Sequence, residues 1–262
     1  MNVFEPYKSL NLQVFVVTHI AGWPVVQANL SDLPWPVKYF DPSDYRGHAF
    51  TREIIELNEA AYGKGMAAPA WTFANFGTIG AGITGGLLCD GQPIAKFSIV
   101  GNINDPTISH EWTLLVHPDY QGKGIGSLTL ALAIQAVRQK RFHTFFTQTD
   151  NASLHAYLKV PHPLELLAYG FVHTRPNSLL IKVAIPAEPL KTILGHKPRA
   201  VALAEYPIVV DSIPTETAWI GANNHQLWLD LNEALHAGQR FALTGRTVED
   251  GKTYLLVAPH HD

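Results

Sequence analysis

Residues 116–127 read VHPDYQGKGIGS, and the reading of this stretch decides the fold. The apolar run TISHEWTLLV (107–116) leads into it and SLTLALAIQAVRQKR (127–141) leaves it, so the sequence predicts strand, glycine turn, helix. Gly122, Gly124 and Gly126 put no side chain between their backbone N–H groups and a ligand, and the start of the following helix adds partial positive charge. Main-chain donors gathered in this way are a general means of holding a phosphate. Hydrogen bonds to an anionic oxygen are roughly twice as strong as neutral ones, so a diphosphate is the expected guest. A tight strand-to-helix connection with no ligand is the competing reading.

Spacing narrows the guest. The Walker pattern GxxxxGK[ST] fails, because position 117 is His117 and Gly124 follows Lys123. The Rossmann pattern GxGxxG fails as well, since the three glycines alternate. What fits is Q-x-x-G-x-G, as Gln121-Gly122-Lys123-Gly124-Ile125-Gly126, after a strand ending VHPDY. This resembles the pyrophosphate-binding segment of the GCN5-related N-acetyltransferase superfamily, which grips coenzyme A. Downstream, the strand-like HTFFTQT (143–149) is followed by Asn151, Tyr157 and Gly170-Phe171, similar to the family's second motif. The resemblance covers about residues 48–186 and departs from the family at PHPLELLA (161–168), which reads as an insertion.

The resemblance implies an α/β (α+β) fold of that family, with a central mixed, mostly antiparallel sheet flanked by helices. It implies acetyl-CoA as acetyl donor, with backbone groups of Leu114, Leu115 and Val116 pairing with the pantetheine arm. Gln121, Gly122, Lys123, Gly124, Ile125, Gly126 and Ser127 are then expected to hold the phosphates, and Asn151 to contact the cofactor from the opposite wall. The implied activity is direct transfer of an acetyl group to an amine on a small molecule or peptide. A non-catalytic acyl-CoA-binding or sensing module is the alternative.

Such a transfer needs a neutral amine and a protonated leaving thiolate. At pH 7 a lysine-like ammonium with pKa near 10.4 lies about 4.6 kcal/mol from its neutral form. His110 and Glu111, on the strand before the turn, are the candidate bases. Successive strand residues face opposite ways, so a regular strand admits one of them to the cleft; a bulge is the device that would bring in Glu111. Tyr157 is the expected acid by resemblance, with Tyr169 as its substitute if the insertion shifts the frame. An unperturbed phenol gives its proton to a thiolate at a cost of about 2 kcal/mol.

Composition limits other readings. The chain has 262 residues, 47% hydrophobic and 16% charged, with a formal net charge of −3. These values fit a folded chain and give no sign of a groove that tracks nucleic acid. Cys89 is the single cysteine, which excludes an intrachain disulfide framework and a CxxC site and agrees with a reduced, cytoplasmic setting. No metal is expected: despite 13 histidines there is no HExxH, and His260-His261-Asp262 reads as a frayed tail. The run VFVVTHIAGWPVV (14–26) is broken by His19 and Pro24 and is not expected to be a signal peptide or a membrane span.

Three regions are expected. Residues 1–45 form a strand-rich arm from QVFVVTHI, PVVQANL and PVKYF, and 46–186 the acyl-CoA-binding domain. Residues 187–262 form an α+β extension, with AVALAEYPIVV (200–210) as a strand, HQLWLDLNEALHAG (225–238) as an amphipathic helix and RFALTGRTVEDGKTYLLVAP (240–259) as a hairpin. That helix and hairpin either cap the core or cover a second subunit, so a homodimer is allowed. Within the central region, Thr51 opens a helix carrying Ile54, Leu57 and Ala61 and stopped by Gly63. MAAPAWTFANFGTIGAG (66–82) is expected to be a packed loop, Asp90-Gly91 a hairpin, and YGFVHT and SLLIKVAI a closing strand pair. The 127–141 helix is expected to end in Arg138, Lys140 and Arg141, suited to its macrodipole.

Overall fold

Asp90 and Gly91 both adopt positive φ, +51° and +82°, as a two-residue hairpin turn between twisted strands demands. They join β3 (Gly82–Cys89) to β4 (Gln92–Gly101) in the computed structural model. The structure describes residues 2–18, 22–40, 49–63, 82–102, 104–170 and 175–260. The loop expected at 66–82, apart from Gly82, lies outside these, as do the Thr51 side chain, Phe171, most of YGFVHT and the His261-Asp262 tail.

The chain packs as two compact units, one of residues 1–143 with 185–195, the other of 144–184 with 196–262. In the first, β1 (Leu12–Val17) runs parallel to β2 (Val37–Phe40) and antiparallel to β3, and β4 pairs antiparallel with β5 (Ile108–Val116). The strand order is β2-β1-β3-β4-β5. One face is covered by α2 (Ala49–Tyr62), after α1 (Trp23–Asn29) in the chain. Ile54 and Leu57 of α2 pack with Phe15, Val17, Leu88 and Leu115, and Ala61 leans on the same cluster. Gly63, at φ +93°, ends that helix, as expected.

PVVQANL forms α1 rather than a strand. Pro24 sits in the first turn, where its missing N–H costs nothing. The far end is tied by Asn29, whose amide donates to the Ala136 carbonyl and Gln139 Oε1, both at 2.8 Å. These distant partners override the β preference of Val25 and Val26.

The glycine turn opens α3 (Ile125–Ala136), in which every residue but Gly126 is buried. The helix stops earlier than expected, at a Val137 cap. Arg138 and Lys140 therefore lie beyond its last turn and bond elsewhere, Arg138 to Asn29 Oδ1 and the Ala28 carbonyl, Lys140 to the Pro106 carbonyl. The Arg141 N–H donates to the Thr107 carbonyl. Residues 189–195, unanticipated, form the short helix α5, numbered after α4 (Leu154–Tyr157).

The second unit orders its strands β6-β8-β7-β11-β12-β10-β9. These are β6 (Phe142–Gln148), β7 (Leu164–Tyr169), β8 (Ser178–Ala184), β9 (Ile208–Val209), β10 (Ala218–Gly221), β11 (Phe241–Glu249) and β12 (Lys252–Pro259). The stretch expected as an insertion is strand β7, paired antiparallel with β8 and β11. AVALAEYPIVV yields a 3-10 turn at Leu203–Glu205 and only the two-residue β9. Glu205 draws the chain into that turn by accepting from the Ala202 N–H at 2.8 Å while pairing with Arg199. The expected C-terminal helix is α6 (His225–His236), capped by Asn224, with Leu227, Leu231 and Ala234 buried. Its hairpin follows, turning at Asp250-Gly251.

Candidate active site

After β5, Pro118–Tyr120 makes one 3-10 turn and the chain extends at Gln121. Gly122 and Gly124 then take φ +72° and +79°, values that cost a residue bearing Cβ about 1–2 kcal/mol. Gly124 caps α3 with no side-chain partner. The first helical bond after the turn is donated by Leu128 to the Gly124 carbonyl at 3.1 Å. Among the described residues, none accepts a hydrogen bond from the amides of residues 122–127. The helix start therefore presents its donors unpaired, the condition that an anion site requires.

The turn is held from its sides. Gln121 Nε2 donates to the Val116 carbonyl at 3.1 Å, closing the strand end onto the turn. The Lys123 ammonium lies 5.3 Å from the Tyr120 ring centre. The Tyr7 hydroxyl donates to the Gly124 carbonyl at 3.3 Å. A cleft of about 200 Å³ next to the turn contains Glu53 and Glu56 as well as His117 and Tyr120, and its carboxylates make it unsuited to a diphosphate.

On β5 the pairing with β4 skips one residue: Thr113 faces Ser98, Glu111 faces Ile99, and Trp112 is extra. This bulge reverses the alternation. Glu111 joins Leu114 and Val116 on the face of Ala95, Phe97 and Ile99, while His110 joins Leu115 on the face of Lys96, Ser98 and Val100. Glu111 is buried at 3% exposure and its Oε2 lies 3.3 Å from His143 Nε2; His143 Nδ1 lies 2.9 Å from Ser109 Oγ. With the proton of neutral His143 on Nε2, that nitrogen donates to the carboxylate and the Ser109 hydroxyl donates to Nδ1. His110 is half-buried, and burial, with a smaller contribution from His143, lowers its pKa below the usual histidine value. Across the α2 face, Lys96 is buried, donates to Asn58 Oδ1 at 3.4 Å and has its pKa pushed well below the lysine range by desolvation.

Asn151, Tyr157 and Tyr169 belong to the second unit. Asn151 is exposed, and its Oδ1 accepts from the Ser153 N–H at 2.8 Å, shaping the turn into α4. Tyr157 ends α4 with its ring buried and stacked on Phe145, centroids 3.5 Å apart and planes 6° from parallel. Tyr169 is also buried, with its oxygen 2.7 Å from His225 Nδ1. The first unit thus brings together Leu114–Val116, residues 121–127, His110 and Glu111; the second holds Asn151 with Tyr157.

Sequence reasoning did not single out Tyr7, His143 or Lys96. Tyr7 and Gly124 are 117 positions apart, and no local pattern announces that contact. Lys96 left a faint signal, as the one charged residue within the apolar run PIAKFSIVG.

Among the described residues, no three or more His, Cys, Asp or Glu side chains cluster as metal ligands, and no helix is long and apolar enough to cross a membrane. No curated protein matches the sequence significantly. Solved structures that align with part of this chain include the ribosomal-protein-S18-alanine N-acetyltransferase from Escherichia coli, at 16% identity and TM-score 0.42, over 52% of this chain and 87% of that one. An acetyltransferase of the GNAT family from Streptococcus pneumoniae aligns at 18% identity and TM-score 0.44, over 56% and 96%. Diaminobutyrate acetyltransferase EctA from Paenibacillus lautus, solved with its substrate L-2,4-diaminobutyric acid and coenzyme A, aligns at 17% identity and TM-score 0.43, over 52% and 89%. Residues 45–160 match the model of the acetyltransferase (GNAT) family. The strand, glycine turn and buried helix all lie inside that span, which is the part of the chain that is similar to the GNAT acetyltransferase family.

Proposed function

We propose that this chain is an acetyl-CoA-dependent N-acetyltransferase whose turn at residues 121–127 binds the diphosphate of the donor. The observation that carries this reading is the set of unpaired amides at 122–127, within the family-matched segment, at the start of a helix buried on nearly every side. Donors fixed before the ligand arrives need no reorganisation to meet it. Bound acetyl-CoA supplies the activated acetyl thioester. Leu114, Leu115 and Val116 offer strand backbone to the pantetheine arm, and Asn151 contributes a side-chain amide.

His110 is the proposed base. Its lowered pKa keeps the imidazole neutral at pH 7 and so able to take a proton from the incoming ammonium. Glu111 is the second candidate, but its carboxylate is already engaged by His143; its proposed part is to hold the bulged strand in place. Tyr157 is the proposed acid for the leaving thiolate, its ring fixed by Phe145.

Calorimetric titration with coenzyme A, followed by thiol release from acetyl-CoA across a panel of small amines, peptides with free N-termini and lysine peptides, tests this. Binding together with turnover on one class is the expected result. Binding without turnover on any class favours a non-catalytic acyl-CoA module, and absence of binding overturns both.

A further inference from the structure

The N-terminal segment grips α3 at both ends. At the start, Tyr7, only 6% exposed, donates to the carbonyl of Gly124, the residue that caps the helix. Tyr7 is itself wedged edge-on against Trp35, as is Phe4. At the other end, 12 residues or about 18 Å on, buried Asn29 is tied on all sides. Its amide donates to the Ala136 carbonyl and Gln139 Oε1, its carbonyl accepts from Gln135 Nε2 at 2.7 Å, and its Oδ1 accepts from Arg138 Nε at 3.1 Å.

The two grips differ in kind. Asn29 satisfies the Ala136 carbonyl, which the end of α3 leaves open, and this is a stability role. Tyr7 acts on the turn itself. Gly124 is in the left-handed region, where its peptide planes set the direction of the Gly124 and Ile125 amides, and a hydrogen bond to its carbonyl opposes rotation of the plane that carries the Ile125 N–H. Burial raises the Tyr7 pKa, so the phenol keeps the proton that it donates.

We infer that residues 2–18 and 22–40 splint the diphosphate cradle and that Tyr7 is a positioning residue for the acetyl donor, fixing the amide direction at Ile125. This rests on the donor site proposed above. It gives the N-terminal segment a part in donor binding although it lies outside the family-matched residues 45–160.

The test is calorimetry with coenzyme A on the wild type, Tyr7→Phe and Asn29→Ala, with thermal unfolding alongside. Tyr7→Phe keeps the ring and removes one hydroxyl, and is expected to weaken coenzyme A binding about five-fold, the scale of one hydrogen bond, with little change in unfolding temperature. The same variant is expected to leave kinetics with S-acetylpantetheine, which has no diphosphate, unchanged. Asn29→Ala is expected to show the reverse, a lower unfolding temperature with coenzyme A affinity retained at low temperature. If the wild type binds coenzyme A and Tyr7→Phe binds within 1.5-fold of it, or loses S-acetylpantetheine activity to the same degree, the inference is overturned while the donor site stands. If the wild type does not bind coenzyme A, both fall.

Discussion

Substituting the glycines of the turn one at a time separates backbone shape from helix stability. Gly124→Ala forces Cβ into φ +79°, a strain of about 1–2 kcal/mol, and puts the new methyl 3.1 Å from the Tyr7 hydroxyl. Relief comes by rotating the Gly124 peptide planes or by pushing Tyr7 away, and either course misdirects the amides. Losing even one hydrogen bond to a charged oxygen is worth about 1.5–3 kcal/mol, or roughly 10- to 150-fold in Kd. Gly122→Ala carries the strain without a clash, since nothing lies within 4 Å of its Cβ position. Gly126→Ala is the control, inside α3 without positive φ and 3.7 Å from Val116 Cγ2; it is expected to stabilise the fold by up to about 1 kcal/mol. Urea unfolding and coenzyme A calorimetry on all three variants supply the two readouts. A Gly124→Ala protein that is destabilised as expected yet binds coenzyme A within two-fold of wild type would refute the claim that these amides hold the donor.

Other outcomes follow from the same geometry. Lys96→Met is expected to raise stability at neutral pH and flatten its pH dependence. The wild-type amine is deprotonated more readily in the fold than in the unfolded chain, so stability rises with pH up to about 10.5, by at most about 1.4 kcal/mol per pH unit; a wild-type slope equal to that of the variant in urea titrations would contradict it. For His110, kcat/KM is expected to fall as pH drops through a value below 6.5, and a limb that persists in His110→Gln removes it as the base. The same lowered pKa means that the unfolded chain protonates first on acidification, so this contribution to stability is present above pH 6.5 and is lost as pH falls. Tyr157→Phe is expected to abolish acetyl-CoA turnover while leaving coenzyme A affinity intact, and full turnover refutes the acid role. Glu111→Ala leaves His143 Nε2 without its carboxylate and is expected to cost at least about 1–3 kcal/mol in urea, with Glu111→Gln recovering most of it.

What could be read in advance was whatever is encoded locally. The Asp90-Gly91 and Asp250-Gly251 turns, the Gly63 stop and the buried run after Ser127 are written within a few residues and appear where expected. The glycine turn belongs with them, because two of its residues need positive φ. Val25 and Val26 misled, since α1 owes its helical form to Asn29 bonding to residues more than 100 positions away. PHPLELLA read as an insertion because it lengthens the stretch between Tyr157 and Gly170; pairing with β8 and β11 on its two sides makes residues 164–168 part of a strand. At the site, His110 and Glu111 were visible as residue types, whereas the partner of Glu111, His143, sits on another strand. The face that each would occupy hung on a register shift that nothing in HEWTL announces.

The extra residue at Trp112 has a further meaning. Because side chains alternate along a strand, pairing Trp112 directly with Ile99, with no bulge, would exchange the surroundings of every position before it. Imidazole and carboxylate trade places without either being replaced. Which group meets the cleft is thus recorded in the pairing of β5 with β4 rather than in its letters: deleting Trp112 would remove the bulge and leave Glu111 opposite Ile99 and His110 opposite Val100.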